Sequence, residues 1–348
     1  MSLPADPSRP GCAARTLVAI VNYRTAPLVV ACLRSLATED PLGAGCFRVL
    51  VVDNASGDGS AAHLRQAIAD EGWEAWAEVR ETPRNGGFSY GNNVAVREAL
   101  RWPQVPDQIW LLNPDTVVQP GAVAALVGFL ERHPRAGIVG SGIDNDDGQS
   151  WPYAFRFPSI ASEFENGVRL GLVTRLLRSR LVARRMGPQA ETADWVSGAS
   201  MVVRREVFEQ VGLMDEGYFL YYEETDFCRR ARRAGWEVWY EPAARVMHIA
   251  GQSTGVTGRQ TVIPRRPAYW FESRRRYFVK HHGRAYGALA DLAWILGFSI
   301  WRLRRRLQRK EDTDPPRMLG DFIAHSVLWR PRWKPEVDAE SGLARVNR

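Results

Sequence analysis

Cysteine is scarce in this sequence of 348 residues, which contains only Cys12, Cys32, Cys46 and Cys228. These four lack the spacing of zinc ligands and are too sparse for the disulfide framework of a small secreted domain. Residues 1–11 contain proline and aspartate but no apolar run of the kind that forms a signal peptide. These absences argue against secretion and favour the reducing cytoplasm.

Two glycine motifs of common nucleotide-binding enzymes are also missing. Neither the G-x-G-x-x-G dinucleotide fingerprint nor the G-x-x-x-x-G-K-[ST] phosphate loop occurs. The sequence has no zinc-finger, helix-turn-helix or RNA-motif pattern, so no nucleic-acid partner is expected. With 45% hydrophobic and 24% charged residues, the chain is ordinary globular material. Its length allows two domains or one extended α/β domain.

Positive charge is in excess: the net charge is +7, and much of it falls in residues 169–185 and 259–310. Such clusters are typical of proteins that bind nucleic acid, an anionic membrane face or a phosphorylated substrate. Ala285–Trp301 is mostly apolar, but it contains Asp291 and is shorter than the roughly 20 residues that span a bilayer. Because the basic block Arg302–Lys310 follows, we predict an interfacial helix on anionic cytoplasmic lipid, with a buried core helix as the alternative.

Strand and helix patterns alternate from residue 17 to about residue 139, which predicts a parallel sheet with right-handed crossovers. The predicted strands are Leu17–Val21, Arg48–Val52, Glu74–Glu81, Gln108–Leu112 and Gly137–Gly140. The predicted helices are Leu28–Leu36, Ser60–Asp70, Ser89–Leu100 and Pro120–His133. Farther along, the patterns predict a loop over Asp144–Phe157, a basic amphipathic helix over Val168–Arg185 and a late strand and loop over Val238–His248.

Two carboxylates follow apolar strands: Asp53 comes after Val49–Val52, and Asp115 comes shortly after Trp110–Leu112. The carboxyl ends of parallel strands meet at one sheet edge, where open α/β sheets bind their ligands. A glycine-rich loop, Asn85-Gly86-Gly87-Phe88, opens the next helix, and glycines let the backbone approach a ligand while free amides can hold an anion. The alternatives are a turn at Asp53 and a helix N-cap at Asp115.

Metal binding is a second expected property of this edge. Mg²⁺ and Mn²⁺ bind one or two carboxylates together with phosphate oxygens of a substrate, so Asp115 is a candidate ligand. His248 lies near a strand end and precedes the polar loop Gly251–Gly255, whose composition favours closure over a phosphate. Both a ligand role and a structural role are open for His248.

Three acids lie close together at Glu223, Glu224 and Asp226. Phe219–Tyr222 precede them, and apolar surroundings raise the pKa of a carboxyl group towards that of a useful general base. The alternative is a solvated helix start, with acids in the first turn and arginines at pairing distance behind them. These arginines are expected to hold the carboxylates rather than contact substrate; they are Arg229, Arg230, Arg232 and Arg233.

Short motifs follow one another in a fixed order along the chain. They are Asp53-Asn54-Ala55-Ser56, Asn85-Gly86-Gly87-Phe88 with Gly91-Asn92-Asn93, Asn113-Pro114-Asp115-Thr116, Trp195-Val196-Ser197-Gly198-Ala199, Glu223-Glu224-Thr225-Asp226-Phe227-Cys228-Arg229 and His248. This order resembles that of the family 2 inverting glycosyltransferases, in particular their bacterial rhamnosyltransferase-like branch. The resemblance covers roughly residues 15–258.

The resemblance implies a GT-A fold of the α/β class, with a Rossmann-like, mostly parallel sheet flanked by helices and a helical C-terminal extension. It divides the chain into an N-terminal tail (1–14), a glycosyltransferase domain (15–258) and a basic, helical extension that is expected to contact the membrane (259–348). Within the domain, residues 15–140 are expected to bind the nucleotide-sugar and residues 141–258 the acceptor.

A donor site is implied in the same way. Asn22, Asp53 and Asn85 would hold the nucleoside, and Trp195–Ala199 would line the sugar pocket, with a buried core turn as the alternative. The predicted donor-site residues are Asn22, Tyr23, Arg24, Asp53, Asn54, Asn85, Gly86, Gly87, Asn92, Asn113, Asp115, Trp195 and Gly198.

The resemblance also implies which residues bind the metal and which residue is the catalytic base. Asp115 matches the last acid of the family's DxD metal motif and His248 matches a metal-binding histidine of some members, whereas Asn113 replaces the first acid and lowers the local charge. Glu224 aligns with the catalytic base, which is usually Asp in the family. Because Glu is longer by one methylene, two neighbouring acids are alternative bases, Glu223 and Asp226.

The implied function is inverting transfer of a sugar from a nucleoside diphosphate sugar to a saccharide, expected to be lipid-linked, in cell-surface polysaccharide synthesis. dTDP-L-rhamnose is the expected donor and a UDP-sugar the alternative. Mg²⁺ or Mn²⁺ on Asp115 and His248 would offset the charge of the leaving diphosphate. We expect a cytoplasmic enzyme, peripheral on the inner face of the cell membrane. A sugar nucleotidyltransferase is a remoter alternative, because its glycine-rich, basic N-terminal loop is missing where Asn22-Tyr23-Arg24 stands.

Overall fold

The structure, a computed structural model, describes residues 15–39, 47–145, 149–151, 153–249 and 264–329. Its strands are β1 Thr16–Asn22, β2 Phe47–Asp53, β3 Ala77–Glu81, β4 Gln108–Leu112, β5 Thr116–Val118, β6 Ala136–Asp144, β7 Ser150–Trp151, β8 Tyr153–Phe155, β9 Ala183–Arg185, β10 Glu191–Thr192, β11 Ser200–Arg204 and β12 Glu237–His248. Its α-helices are α1 Ala26–Ala37, α2 Ser60–Asp70, α3 Gly87–Ala99, α4 Ala122–Arg132, α5 Ile160–Val168, α6 Gly171–Leu176, α7 Arg205–Val211, α8 Glu223–Arg233, α9 Ala268–Leu307 and α10 Met318–His325.

One large mixed sheet organises the described residues. Its path runs β10-β12-β6-β11-β4-β1-β2-β3, with β5 paired to β12 and β7 paired to β6. The pairs β1–β2, β1–β4, β2–β3 and β6–β12 are parallel, while β11 is antiparallel to both of its neighbours. Every residue of β1 and β4 is buried, as expected of strands covered by helices on both faces. The predicted α/β class is confirmed.

The strand register gathers the predicted residues at one edge. β1 and β2 pair so that Asn22 lies beside Asp53, and β4 lies on the other side of β1. At the end of β12, His248 pairs with Thr116 of β5, the residue after Asp115. Polar side chains from four strand ends are therefore close neighbours.

Several boundaries differ from the predicted ones. β3 begins at Ala77 because Trp73 and Trp76 form a buried turn in front of it. Asp144–Phe157, predicted as a loop, contains the short strands β7 and β8. The proposed division after residue 140 falls inside β6, so the two predicted halves share one sheet.

The prediction of one basic helix over Val168–Arg185 is wrong. The chain instead forms the end of α5, the short helix α6, a 3₁₀ turn at Arg178–Arg180 and β9. α5 stops because Arg169 adopts the left-handed region, with φ 46°. The Arg304 guanidinium donates to the carbonyl oxygen of Arg169 and so satisfies this helix end.

The extension is built on α9, which bends at Gly283, where φ is 81°. The second half of α9 crosses α5 at a pair of glycines. A Cβ on Gly167 would lie 2.7 Å from the Trp294 carbonyl oxygen, and one on Gly297 would lie 2.6 Å from the Phe164 carbonyl oxygen. Only glycines permit so close a crossing, which fixes the extension against the domain.

The predicted interfacial segment Ala285–Trp301 lies in this second half of α9. One face is buried and includes Asp291, Trp294 and Phe298, so the core-helix alternative holds for that face. Asp291 is tolerated there because it pairs with Arg274 and accepts a hydrogen bond from the Val327 N–H over 2.7 Å. Among the described residues, no helix combines the length and apolar character needed to cross a membrane.

Candidate functional site

A buried hydrogen-bond network joins the carboxyl ends of β1 and β2. The Asn22 amide and the Ser56 hydroxyl each donate to Asp53 Oδ1 over 2.6 Å. The Ser56 backbone N–H donates to Asp53 Oδ2 over 3.1 Å, which closes a local turn. Asp53 is therefore the turn residue of the alternative interpretation, and the same turn holds it at the sheet edge.

Tyr23 and Arg24 lie beside this network. The Arg24 Nε–H donates to the Ser56 carbonyl oxygen over 3.0 Å, and the guanidinium carbon lies 5.1 Å from the centre of the Tyr23 ring. Arg24 also has a left-handed backbone, with φ 59°. The turn after β1 thus places a cation and an aromatic ring next to Asp53.

Asn54 connects the edge to the glycine-rich loop. Its amide group donates to Asn85 Oδ1 and to the Gly87 carbonyl oxygen, each over 3.0 Å, and its Oδ1 lies 3.4 Å from the Gly86 N–H. Gly87 has φ 85°, and a Cβ there would lie 2.0 Å from the Phe219 carbonyl oxygen. Glycine is therefore required at residue 87, where the glycine-rich loop touches the segment that leads to the three acids.

Asp115 and His248 form a pair across β5 and β12. Asp115 is 4% exposed, and its Oδ1 lies 3.2 Å from His248 Nε2 without accepting a hydrogen bond from any described residue. The Asn113 amide nitrogen lies 3.4 Å from the same Nε2. The polar loop Gly251–Gly255, predicted to follow this histidine, lies outside the described residues.

This pair fits two ligands of a divalent cation. Adjacent ligands of an octahedral ion, each about 2.1 Å from the metal, lie about 3 Å apart, which is close to the distance between Asp115 Oδ1 and His248 Nε2. The described part of the chain contains no cluster of three or more His, Cys, Asp or Glu that could hold a metal. The pair therefore fits an ion that takes its remaining ligands from substrate phosphate and water.

Glu223 and Glu224 open α8 with partly unsatisfied carboxyl groups. The Oε2 atom of each is buried and accepts no hydrogen bond within the described chain. Burial raises the pKa of Glu224 to about 7, although backbone N–H groups, including that of Gly198, lower it in part. Burial and then the charge of Glu224 raise the pKa of Glu223 well above its usual range. A carboxyl group with a pKa near neutrality is suited to general-base catalysis.

The backbone in front of α8 is strained. Tyr221 and Tyr222 both have φ 69°, in the left-handed region that aromatic residues rarely adopt. Outliers of this kind cost of the order of 1–3 kcal/mol each and concentrate at functional sites. The two strained residues present Glu223 and Glu224 at a tight corner.

The turn at Gly198 connects the acids to the strand end that precedes the Asp115–His248 pair. A Cβ on Gly198 would lie 3.4 Å from the Phe88 ring and 3.7 Å from Glu224 Cβ. The carbonyl oxygen of the next residue, Ala199, accepts a hydrogen bond from the Asn113 N–H over 2.9 Å. Glu224, the glycine-rich loop and the strand end at Asn113 therefore border one crevice.

Asp226 has different surroundings. It is fully buried, and its carboxylate lies 2.7 Å from His281 Nε2, 2.8 Å from Lys280 Nζ and 2.9 Å from Arg230 Nε. Burial alone would raise the pKa of Asp226, but the hydrogen bond from His281 and the charges of Arg230 and Lys280 outweigh it and hold the pKa well below its usual range. A carboxylate held in this way is a poor proton acceptor.

Two further predicted residues have structural contacts. Asn92 is buried in α3, and its amide donates to the Phe88 carbonyl oxygen over 3.0 Å. The Trp195 ring stacks on Phe155 with 4.1 Å between centroids, and its indole N–H donates to the Arg156 carbonyl oxygen over 3.0 Å. The contacts of Trp195 are those of the core-turn alternative.

Sequence analysis missed the residues that join the two sides of the crevice. Asn93 donates to the Met214 carbonyl oxygen over 2.8 Å and accepts from the Met214 N–H over 3.0 Å, so it ties α3 to the segment before α8. The sequence feature that could have identified Asn93 is the polar run Gly91-Asn92-Asn93. Lys280 and His281 gave no local signal, since they are more than 50 positions from Asp226.

Much of the basic charge is used inside the protein. The arginines at 274, 275, 276 and 305, all in the predicted basic stretch, are buried. Among the arginines predicted to hold the acids, Arg230 pairs with Asp226. The other three bind elsewhere: Arg229 to Tyr277 and His282, Arg232 to Asp194, and Arg233 to His281.

Comparison with known proteins gives one consistent family. Residues 13–266 match the family model described as "Glycosyltransferase like family 2". An N-acetylglucosaminyl-diphospho-decaprenol L-rhamnosyltransferase of Mycobacterium tuberculosis is 32% identical over 308 residues, which are 83% of this chain and 89% of that protein. Rhamnosyltransferase WbbL of Escherichia coli K12 is 30% identical over 169 residues, which are 47% of this chain and 61% of that protein.

A solved structure shares the fold. The mannosyltransferase PcManGT from Pyrobaculum calidifontis, in complex with GDP-Man and Mn²⁺, matches with a TM-score of 0.52 at 18% identity. The match covers 91% of this chain and 81% of that one. It confirms the predicted fold.

Proposed function

The chain belongs to glycosyltransferase family 2, and from that premise we propose that it transfers L-rhamnose from a nucleoside diphosphate donor to a saccharide in cell-surface polysaccharide synthesis. Its similarity to two rhamnosyltransferases supports the choice of sugar. The observation that carries the proposal is the crevice itself. The Asp115–His248 pair lies on one side of the Gly198 turn, and Glu224, with a pKa near neutrality, lies on the other.

Glu224 is the proposed base. It takes the proton from an acceptor hydroxyl while that oxygen attacks the anomeric carbon, from the face opposite the leaving diphosphate, so the configuration inverts. Its pKa of about 7 leaves a substantial ionised fraction at neutral pH. Burial and then the charge of Glu224 raise the pKa of Glu223 well above its usual range, which disfavours a second negative charge beside the base.

The donor is proposed to bind at the sheet edge. Asn22, Asp53 and Asn85 contact the nucleoside, and Asp115 and His248 hold Mg²⁺ or Mn²⁺ against the diphosphate. When bound, such an ion offsets the negative charge that develops on the leaving group. dTDP-L-rhamnose is the proposed donor, because the motif order is that of the rhamnosyltransferase branch.

The acceptor is proposed to be a lipid-linked saccharide. The relative from M. tuberculosis carries a diphospho-decaprenol acceptor in its name, and the match spans most of both chains. An acceptor with a lipid anchor requires the enzyme to work at a bilayer, which on this proposal is the cytoplasmic face of the cell membrane.

Calorimetric titration tests the donor site directly. The wild-type protein is titrated with dTDP-L-rhamnose, UDP-GlcNAc and GDP-mannose, each with and without Mg²⁺ or Mn²⁺. We expect metal-dependent binding of dTDP-L-rhamnose that weakens at least about tenfold in Asp115→Ala, because a buried ligand oxygen is lost. Asp107→Ala, which removes an exposed carboxylate in front of β4, is the matched control and should bind like the wild type.

The other outcomes are equally informative. Binding of UDP-GlcNAc alone would replace the donor assignment while keeping the transferase. Binding of dTDP-L-rhamnose that is indifferent to metal and to Asp115→Ala would remove the ion from the mechanism. If no donor binds under any condition, the proposed function is wrong.

A further inference from the structure

A row of exposed apolar side chains follows the second half of α9. This leucine stripe consists of Leu289, Leu292, Leu296, Ile300, Leu303 and Leu307, which are between 39% and 77% exposed. The six residues are separated by five intervals between positions 289 and 307, so their mean spacing equals the helical period of about 3.6 residues. The six side chains therefore lie in one line parallel to the helix axis, about 27 Å long.

The side chains of the stripe cannot be buried by rotation of α9, because the opposite face of the helix is packed against the rest of the protein. Asp291, Trp294 and Phe298 are buried on that face, and Trp294 stacks on Phe322 of α10 with 3.9 Å between centroids. Gly297 is in close contact with α5. The leucine stripe is thus a rigid outward-facing surface.

Arginines without partners flank the stripe. Arg302 and Arg306 line a groove between α9 and α10, together with Leu303, Leu319 and Ile323. The side chain of neither arginine forms an ion pair or hydrogen bond with a described residue, although the positive charge of Arg302 contributes to the lowered pKa of Asp312. They contrast with Arg305 on the same turn, which is buried and pairs with Asp312 and Asp314.

A second group of unpaired arginines lies nearby. Arg304 donates to the carbonyl oxygen of Arg169, so the segment that begins with α6 lies next to the C-terminal end of α9. This segment exposes Leu172 and Leu176, at 65% and 74%. Its three exposed arginines also have no ion pair with a described residue; they are Arg175, Arg178 and Arg180.

We propose that the leucine stripe and these five unpaired arginines dock the protein on an anionic lipid bilayer. α9 lies in the plane of the interface, with the leucines at the boundary between headgroups and acyl chains and the guanidinium groups at the level of the phosphates. Charge complementarity selects this occupant, since unpaired guanidinium groups beside an apolar line match lipid phosphates. The evidence for this docking surface is the exposure and charge of its residues, and it does not depend on the proposed enzymatic function. Vesicle binding and sugar transfer can therefore fail independently of each other.

Vesicle flotation of the full chain tests the proposal. We expect the wild type to float with vesicles that contain about one third phosphatidylglycerol and to stay behind with pure phosphatidylcholine. Leu296→Gln with Leu303→Gln should lower the partition coefficient at least about tenfold, because two inserted leucines are lost. Arg302→Gln with Arg306→Gln should lower it about fivefold per arginine, and this loss should shrink in high salt.

Matched variants separate the surface from general effects. Leu296→Met with Leu303→Met keeps the apolar area and should float like the wild type. Arg34→Gln with Arg65→Gln removes the same charge from α1 and α2 and should also float normally. Light scattering without vesicles reports the oligomeric state of each variant. The proposal is wrong if the wild type does not float with the anionic vesicles. It is also wrong if the wild type self-associates and the Leu→Gln pair abolishes this self-association but leaves flotation unchanged.

Discussion

Two sets of buried carboxylates in this protein have opposite surroundings. In the crevice, Asp115, Glu223 and Glu224 each have a buried oxygen that accepts no hydrogen bond from a described residue. Between the sheet domain and α9, every buried acid in contact with α9 has a cationic partner: Glu163 and Asp291 pair with Arg274, and Asp215 and Asp226 pair with Lys280.

The difference separates the acids that we propose to act on a ligand from the acids that stabilise the structure. A buried carboxylate oxygen without a partner costs about 1–3 kcal/mol or more, so such oxygens are concentrated where a ligand completes them. Arg274 and Lys280 come from α9, which lies beyond residues 13–266 of the family match, whereas Arg230, a further partner of Asp226, lies on α8. The extension therefore helps to hold the part of the sheet domain that contains α8 and the proposed base.

Loss of the proposed base should have the largest effect. Glu224→Gln is expected to lower kcat by about 10²- to 10⁴-fold while donor binding is kept, because only proton removal from the acceptor is lost. A transfer assay and calorimetry measure the two quantities. Glu209→Gln on α7, with a half-exposed side chain, is the control. Should Glu223→Gln silence turnover and Glu224→Gln leave it intact, the roles of the two acids are exchanged.

Loss of a cation that two acids of the second set share should have the next largest effect, which is on the stability of the protein rather than on turnover. Arg274→Met leaves Glu163 and Asp291 buried without their partner, which is expected to cost about 3–5 kcal/mol of unfolding free energy. Urea unfolding measures this cost. Arg15→Met removes an arginine that also contacts two acids, Asp107 and Glu131, but all three side chains are half exposed, so the loss should stay within about 1 kcal/mol. Equal losses in the two variants would contradict the distinction between the sets.

One acid from each set, Glu224 and Asp226, should also respond to pH with opposite sign. The pKa of Glu224 is raised, so the folded state binds more protons than the unfolded chain between about pH 4.3 and 7. The stability of the wild type relative to Glu224→Gln should therefore fall as the pH rises through that window. The pKa of Asp226 is depressed, so its contribution is complete above about pH 3.9 and is lost below it.

Unfolding curves from pH 3 to 8 test this difference, with Asp226→Asn for the second set. The free energy of unfolding that Asp226→Asn loses relative to the wild type should be constant near neutral pH and should become smaller in acid. A Glu224→Gln difference that does not vary with pH, or an Asp226→Asn deficit that grows in acid, would contradict the assignment.

The parallel part of the fold is predictable from local pattern. Apolar runs identify β1, β2 and β4, and the predicted helix Ser60–Asp70 coincides with α2. The neighbourhood of Asp53, Asn54 and Asn85 follows as well, because parallel strand ends meet at one edge. These features depend on short stretches of sequence, which is why the sequence alone is sufficient.

Features that depend on distant partners are not predictable in this way. The helix predicted over Val168–Arg185 fails because Arg169 adopts a left-handed conformation at the contact with Arg304, more than 100 positions away. The cations around Asp226 were interpreted as a basic surface, because nothing in the local sequence distinguishes a buried Arg276 from an exposed Arg302. Only the packing of α9 makes that distinction.

The distance in sequence between Asp226 and its cations has a consequence for how the protein is made. At about 5–20 residues per second, the ribosome adds Lys280 and His281 some 3–11 s after Asp226. Until then Arg230, on α8 itself, is the cation that pairs with the buried Asp226 carboxylate, so α8 packs against the sheet with only part of its final charge compensation. The sheet edge proposed to receive the donor can be assembled early during translation, whereas the corner with the proposed base is completed only when α9 is added.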